Sequence, residues 1–330
     1  AVVCLRRFRV SLTRYTDASS QTYPEAMVIQ ATYRGSNLSY PLGVVLCALA
    51  GVCWSLIPLG IRHIETASVW QILFFRSAGL LPMLFCLMYW RSGGRPLDAL
   101  FRAGAPGVLG GLALTMAYVG GIGAVQLTSV ANAAFLFATA PFMVALLSFL
   151  VLGERVRAAT WVAMVLGLAG ISFMVADSFT TGNWQGDAVA LMAALGFALF
   201  TLALRWGKAS DMMPVSFMGG LFALVLSGLV VSATGQGFDL PVHEIAIAVM
   251  LGVVLLALGM TLYTFGSKVV PGAELALLSM TEVVLAPLWV WIVLGETAAT
   301  ATLIGGGILM LAIGFNALTG LRRKPLPMGH

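Results

Sequence analysis

The sequence predicts an all-α membrane protein, with ten transmembrane helices arranged as two inverted five-helix repeats around a central cavity. Three observations lead there. Hydrophobic residues make up 60% of the 330-residue chain and charged residues only 9%, against roughly 25% charged in a soluble globular protein. The apolar residues fall into ten runs of about 20, the length that a ~30 Å hydrocarbon core requires of a helix. Residues 129–173 also align with 271–315 without a gap, and 13 of those 45 positions are identical.

In chain order, residues 1–39 are polar, carry Arg6, Arg7, Arg9, Arg14 and Arg34, and lack an apolar run of signal-peptide length. They read as a mobile cytoplasmic tail. Gly, Pro and charged clusters then cut the apolar runs into spans near 40–61, 67–90, 104–125, 128–152, 158–176, 184–206, 214–234, 243–266, 271–294 and 298–320. The expected organisation is a tail at 1–39, a first repeat at 40–177 (spans one to five), a second at 178–320 (spans six to ten), and a basic cytoplasmic tail at 321–330. Pro58, Pro82, Pro141 and Pro287 lie inside spans, where a missing N–H frees a carbonyl and permits a kink. Gly107, Gly111 and Gly305 to Gly307 form small-residue faces for close helix approach.

Loop charge tests the count of spans, because an error of one helix would scramble the sidedness of every later loop. With the N-terminus inside, 16 of the 18 Lys and Arg fall on inner segments, Arg62 alone lies outside, and Arg76 remains within span two. Both termini are therefore expected in the cytoplasm of a multi-pass protein of the bacterial inner membrane. The basic residues are dispersed in short loops, so they read as topology signals and not as a nucleic-acid surface. Cys4, Cys47, Cys53 and Cys86 have neither disulfide nor metal spacing. His63, His243 and His330 stand alone, where a metal site needs three or four convergent donors. No cofactor or metal is expected. Neither paired histidines nor a serine nucleophile motif points to an enzyme.

The repeat carries the functional reading. Leu152-Gly153-Glu154 falls on Leu294-Gly295-Glu296, Ala159-Thr160 falls on Ala301-Thr302, and Arg62 lies opposite Arg205 one position out of register. Five spans per half is an odd number, so the second copy enters the membrane from the other side. Inverted repeats are the architecture of alternating-access transporters, with the substrate near the midplane. The small-molecule substrate and the bilayer are the expected partners.

Polar residues inside the spans nominate the site. A carboxylate at membrane depth costs a few kcal/mol and is retained for a partner, a wet cavity or a role. Glu274 and Thr281 are nearly eclipsed on span nine, and Glu282 lies about 80° round. Glu274 aligns with Asn132 and Thr281 with Thr139, so both copies carry a polar pair, read here as facing a shared cavity. Glu282 aligns with Ala140. It breaks the symmetry, as a proton-coupling site or a counter-charge for a substrate amino group, or as the partner of Arg76. Arg76 holds the repeat interface or orients a substrate carboxylate. Glu154 and Glu296 each precede a new helix and read as caps. Trp54, Phe74, Tyr118, Phe135 and Tyr263, with Phe197 and Trp289, supply an aromatic lining for a mostly apolar pocket. Trp70, Trp90, Trp184 and Trp206 sit near span ends as interfacial belt residues.

Phe75-Arg76 in span two, Pro141 ahead of the first Leu-Gly-Glu, and the second Leu-Gly-Glu closing span nine resemble the drug/metabolite transporter superfamily, in its ten-helix branch with two EamA domains. The resemblance covers residues 40–320. It implies a basket of ten helices whose cavity is lined by spans one to four and six to nine, with spans five and ten outside. Bacterial members include exporters of aromatic and other neutral amino acids, so amino-acid export is the implied activity. An importer of a cofactor-like metabolite is the alternative within the fold, and an intramembrane enzyme the alternative outside it.

Overall fold

The computed structural model describes residues 39–154, 156–181, 184–207, 212–267, 269–270 and 272–321. The side chains of residues 180, 181, 272–277, 279, 280, 320 and 321 are not among those described, and the N-terminal tail expected to be mobile (1–38) and the basic C-terminal tail (322–330) lie outside them. The described residues form ten helical spans and no strand. These are α1 (Tyr40–Arg62), α2 (Val69–Arg91), α3 (Pro96–Leu127), α4 (Val130–Leu152), α5 (Ala158–Thr181), α6 (Trp184–Trp206), α7 (Met213–Ala233), α8 (Val242–Gly266), α9 (Gly272–Leu294) and α10 (Thr300–Leu321).

Local chemistry sets the ends. Ser68 opens α2 with a capping box: its hydroxyl accepts from the Gln71 N–H at 3.3 Å, and the Gln71 side chain accepts from the Ser68 N–H at 2.9 Å, satisfying two donors the helix leaves orphaned. Ser129 opens α4 by accepting from the Asn132 N–H at 3.2 Å. Both Leu-Gly-Glu turns stop their helices alike, with Gly153 and Gly295 each at φ 68°, a left-handed conformation that glycine adopts without a Cβ clash. Residues 96–103, read as loop, are helical and join α3 through a kink at Gly104 (φ 53°). Pro at N1 and Asp98 in the first turn favour a helix start there.

The prolines divide into two kinds. α1 breaks between Ser55 and Ile57 beside Pro58, and α4 between Phe137 and Ala140 beside Pro141. Pro82 and Pro287 are carried inside unbroken helices. A further departure occurs in α8, where Leu251–Ala257 forms a π-helix. No proline announces it.

Small residues hold the spans together, and the two halves interleave. In α6 against α3, a Cβ on Gly120 would fall 2.8 Å from the Ala193 N, and one on Gly196 would fall 2.6 Å from the Ala117 N. α1 lies on α8 through Gly43 and Gly266, and on α9 through Gly51. α2 meets the π-segment of α8 so closely that a Cβ on Gly252 would fall 2.1 Å from the Arg76 carbonyl oxygen. Such backbone approach replaces the hydrophobic drive that lipid denies to helix association. Around these seams Leu80, Leu84, Ile122, Leu136 and Leu251 form the buried core. α5 and α10 pair through Gly170 and Gly305 and present Val165, Leu168 and Leu311 outward, as lipid-facing helices do.

Candidate functional site

Two groups of polar and aromatic side chains sit inside the bundle. The first lies where α1 meets α8 and α9. The Trp54 and Tyr263 rings are 5.5 Å apart, and Gly259 makes room for the indole, since a Cβ there would fall 2.3 Å from the Trp54 Nε1. That buried N–H has no acceptor. One turn earlier, Gly51 admits α9, whose Thr281 Cβ and Glu282 N lie 3.6 and 3.8 Å from the space a Cβ would take. Trp289 Nε1 donates to Ser55 Oγ at 3.0 Å and fastens the two helices. Glu282 is half-buried near the middle of α9. Among the described residues its carboxylate has no hydrogen-bond or ion-pair partner.

The second group lies between α2, α3 and α8. Arg76 is only 4% exposed, and its guanidinium stacks on the Tyr118 ring at 4.4 Å. Its Nε and Nη2 have no hydrogen-bond partner, and neither does the buried Tyr118 hydroxyl. The Arg76–Glu282 pair that the sequence leaves open is not made here, because both groups stand unpaired.

The other nominated residues lie elsewhere. Asn132 is buried two residues into α4, at one end of the bundle. Its amide donates to Asp187 at the start of α6 and to Thr128 Oγ1 at 3.1 Å, and accepts from Thr302 of α10 at 3.4 Å. Thr139 sits in the break of α4 and donates to the Leu136 carbonyl at 2.7 Å. Phe135 packs on Gly306 of α10, and Phe74 on Phe238 at 4.7 Å. The Glu274 side chain falls outside the described residues. Two buried acids escaped the sequence reading. Asp187 is one. The other is Glu244, whose carboxylate accepts from the N–H groups of Glu65, Thr66 and Ala67 and from the Thr66 hydroxyl at 2.9–3.3 Å, tying the loop after α1 to the start of α8. The only signal for either was a lone acid in the first turn of an apolar run.

Residues 41–176 and 184–318 each match the EamA-like transporter family. The chain belongs to that family. It is 31% identical over 284 residues to an uncharacterized transporter of Archaeoglobus fulgidus, spanning 82% of this chain and 94% of that one. It is 29% identical over 281 residues to the pseudopaline exporter CntI of Pseudomonas aeruginosa strain UCBPP-PA14, again spanning 82% and 94%. A crystal structure with 18% identity superposes with a TM-score of 0.57 over 85% of this chain and 99% of that one, a likeness of fold.

In this EamA-like transporter the paired Leu-Gly-Glu turns do more than end helices. Glu296 follows α9 and Arg62 closes α1, and the Arg62 Nε lies 2.9 Å from Glu296 Oε2. Glu296 Oε1 also accepts from the Val130 N–H at 2.8 Å, so the helix it caps is α4 and not the α10 that follows it. Arg62 Nη2 reaches the Thr128 carbonyl at 2.8 Å. At the other end of the bundle Arg205 of α6 pairs with Glu154 at 2.8 Å and donates to Ser148 Oγ at 2.8 Å. Each EamA domain thus gives the arginine of its first span to the Leu-Gly-Glu turn of the other domain.

Proposed function

We propose that this EamA-like transporter exports small zwitterionic metabolites, aromatic or other neutral amino acids, across the bacterial inner membrane by alternating access between two inverted five-helix halves. The observation that carries the substrate class is Glu282, an unpaired, half-buried carboxylate at mid-span. Such a group is costly in lipid and is spared when it meets a positive charge that comes and goes, either a substrate ammonium or a proton. The aromatic pair Trp54 and Tyr263 stands on the same seam of α1 and α8 and offers the apolar surface a neutral side chain needs. Likeness to a pseudopaline exporter supports the outward direction. The excess of Lys and Arg on one set of loops supports cytoplasmic termini.

The exchanged ion pairs support alternation. In this reading the Arg62–Glu296 pair closes the outer end and Arg205–Glu154 the inner end, and rocking of one half on the other breaks one pair at a time. Counterflow in proteoliposomes with amino acids, nucleosides and cofactors tests the proposal. Phenylalanine or leucine inside the vesicle is expected to drive uptake of the labelled amino acid, and Glu282→Gln to abolish the pH dependence of that uptake. Counterflow by nucleosides or cofactors alone would replace the substrate class. Unchanged uptake and pH dependence in Glu282→Gln would remove Glu282 from it.

A further inference from the structure

We propose that the Arg76–Tyr118 group is the subsite that receives the substrate's carboxylate, distinct in place and charge from Glu282. This rests on the reading above only in taking the interior of the bundle as the substrate path.

Arg76 is only 4% exposed, yet two buried guanidinium nitrogens, Nε and Nη2, have no hydrogen-bond partner, and they are neighbours on one edge of the fork. That edge fits a carboxylate with two parallel N–H···O bonds. The Tyr118 ring, 4.4 Å from the guanidinium carbon, holds the group by a cation–π contact without consuming a donor. Its own unpaired hydroxyl adds a further donor on the same group of helices.

An unpaired buried cation is a liability to a folded protein, because burial removes water without supplying a counter-charge. Among the described residues no acid relieves it. Asp187 is engaged by Asn132, Glu244 by the loop at 65–67, Glu296 by Arg62 and Glu154 by Arg205. Glu282, on the α1 side of the bundle, makes no pair with Arg76. Among the described residues the counter-charge is left for a ligand to bring. The π-segment of α8 at Leu251–Ala257 lies against Arg76. Its wider turn disturbs the regular carbonyl ladder, an irregularity that recurs at functional sites and is tolerated at membrane depth where protein or a cavity covers it.

The test uses the full chain in detergent, and reads affinity from the ligand-dependent shift of thermal unfolding. The probes are L-phenylalanine, L-phenylalaninamide, N-acetyl-L-phenylalanine and sodium chloride, with ionic strength held constant. The acid is expected to bind at least about tenfold tighter than the amide, the loss that follows when a charge-assisted hydrogen bond goes. In Arg76→Gln that ratio is expected to fall to near one, and Arg76→Lys to recover part of it. Tyr118→Phe, which removes only a hydroxyl, is expected to lower the ratio a few-fold without changing the unliganded midpoint. The unliganded midpoint of Arg76→Gln is expected to stay level or rise, since an unpaired charge is removed. Equal binding of acid and amide overturns the subsite, as does an Arg76→Gln protein that keeps the ratio or loses much of its unliganded stability. Stabilisation by chloride as strong as by the acid also overturns it, in favour of an inorganic anion, and so does a panel in which nothing binds. If N-acetyl-phenylalanine binds as well as phenylalanine while the amide does not, the carboxylate subsite stands and the zwitterion reading falls.

Discussion

Asp187 is 1% exposed, and a carboxylate buried so deeply is tolerated only where donors reach it. Asn132 supplies one and also accepts from Thr302, so a single amide joins α4, α6 and α10 at one end of the bundle. Asn132→Ala removes all of this at once and is expected to cost about 1–3 kcal/mol, read as a lower unfolding midpoint of the purified protein. Thr139→Val is the contrast, because the Thr139 hydroxyl bonds only to the Leu136 carbonyl one turn away. Its loss is expected to cost a few tenths of a kcal/mol, within the range of substitutions that leave packing intact. Equal losses in the two variants would show that the knot at Asp187 holds no more than a local bond. Glu282 is the opposite case, since it has no partner to lose, and Glu282→Gln is expected to leave the unfolding midpoint level or higher while transport changes.

Among the helices, glycines one residue apart have opposite meanings. A Cβ on Gly120 would fall 2.8 and 2.9 Å from the backbone N and Cα of Ala193, whereas one on Gly121 would meet nothing within 4 Å. Backbone atoms cannot swing aside as side chains do, so Gly120→Ala must push α6 off α3, at a cost of about 1–3 kcal/mol. Gly121→Ala is expected to be neutral or to stabilise by up to about 1 kcal/mol through helix propensity. The same contrast is expected between Gly170, which faces the Gly305 carbonyl, and the open Gly307. Sequence revealed the spans themselves, since each needs only its own twenty apolar residues. It also revealed the duplicated Leu-Gly-Glu turns, which are contiguous. It did not reveal which of two adjacent glycines faces a neighbour, because two spans separate Gly120 from Ala193. Nor did it reveal that Asn132 and Asp187 meet at equal depth, that Arg76 lands on Tyr118, or that α8 widens at Leu251–Ala257. Those follow from how the helices are placed against one another, which the periodicity of one helix does not encode. The alignment of Asn132 with Glu274 says nothing of the burial of Asn132 among three helices, which depends on neighbours that only the fold brings.

Across the whole molecule the two exchanged ion pairs are alike in plan and unequal in strength. The Arg62 end is about a quarter exposed, with side-chain exposures of 26% and 24%, and carries two further bonds, to the Thr128 carbonyl and from the Val130 N–H. The Arg205 end is 45% and 42% exposed and carries one, to Ser148. Exposed pairs contribute roughly 0–1 kcal/mol, and partly desolvated, multiply bonded pairs more, so the firmer of the two pairs is the one at the Arg62 end. Charge reversal at either end sets like charges against each other, and both Arg62→Glu and Arg205→Glu are expected to reduce counterflow, the former more. Reversing the partner as well separates gating from mere charge. With Arg205→Glu and Glu154→Arg together, the pair is restored in mirror image, and the Ser148 hydroxyl, which accepts from Arg205, can donate to the new carboxylate instead, so transport is expected to return to within a few-fold of the parent. With Arg62→Glu and Glu296→Arg together the pair also re-forms, but a carboxylate cannot donate to the Thr128 carbonyl and an arginine cannot accept from the Val130 N–H. Rescue there is expected to be partial. Full transport in either single reversal would mean that the pairs do not gate, and equal rescue at the two ends would mean that the additional bonds to Thr128 and Val130 contribute nothing to closure.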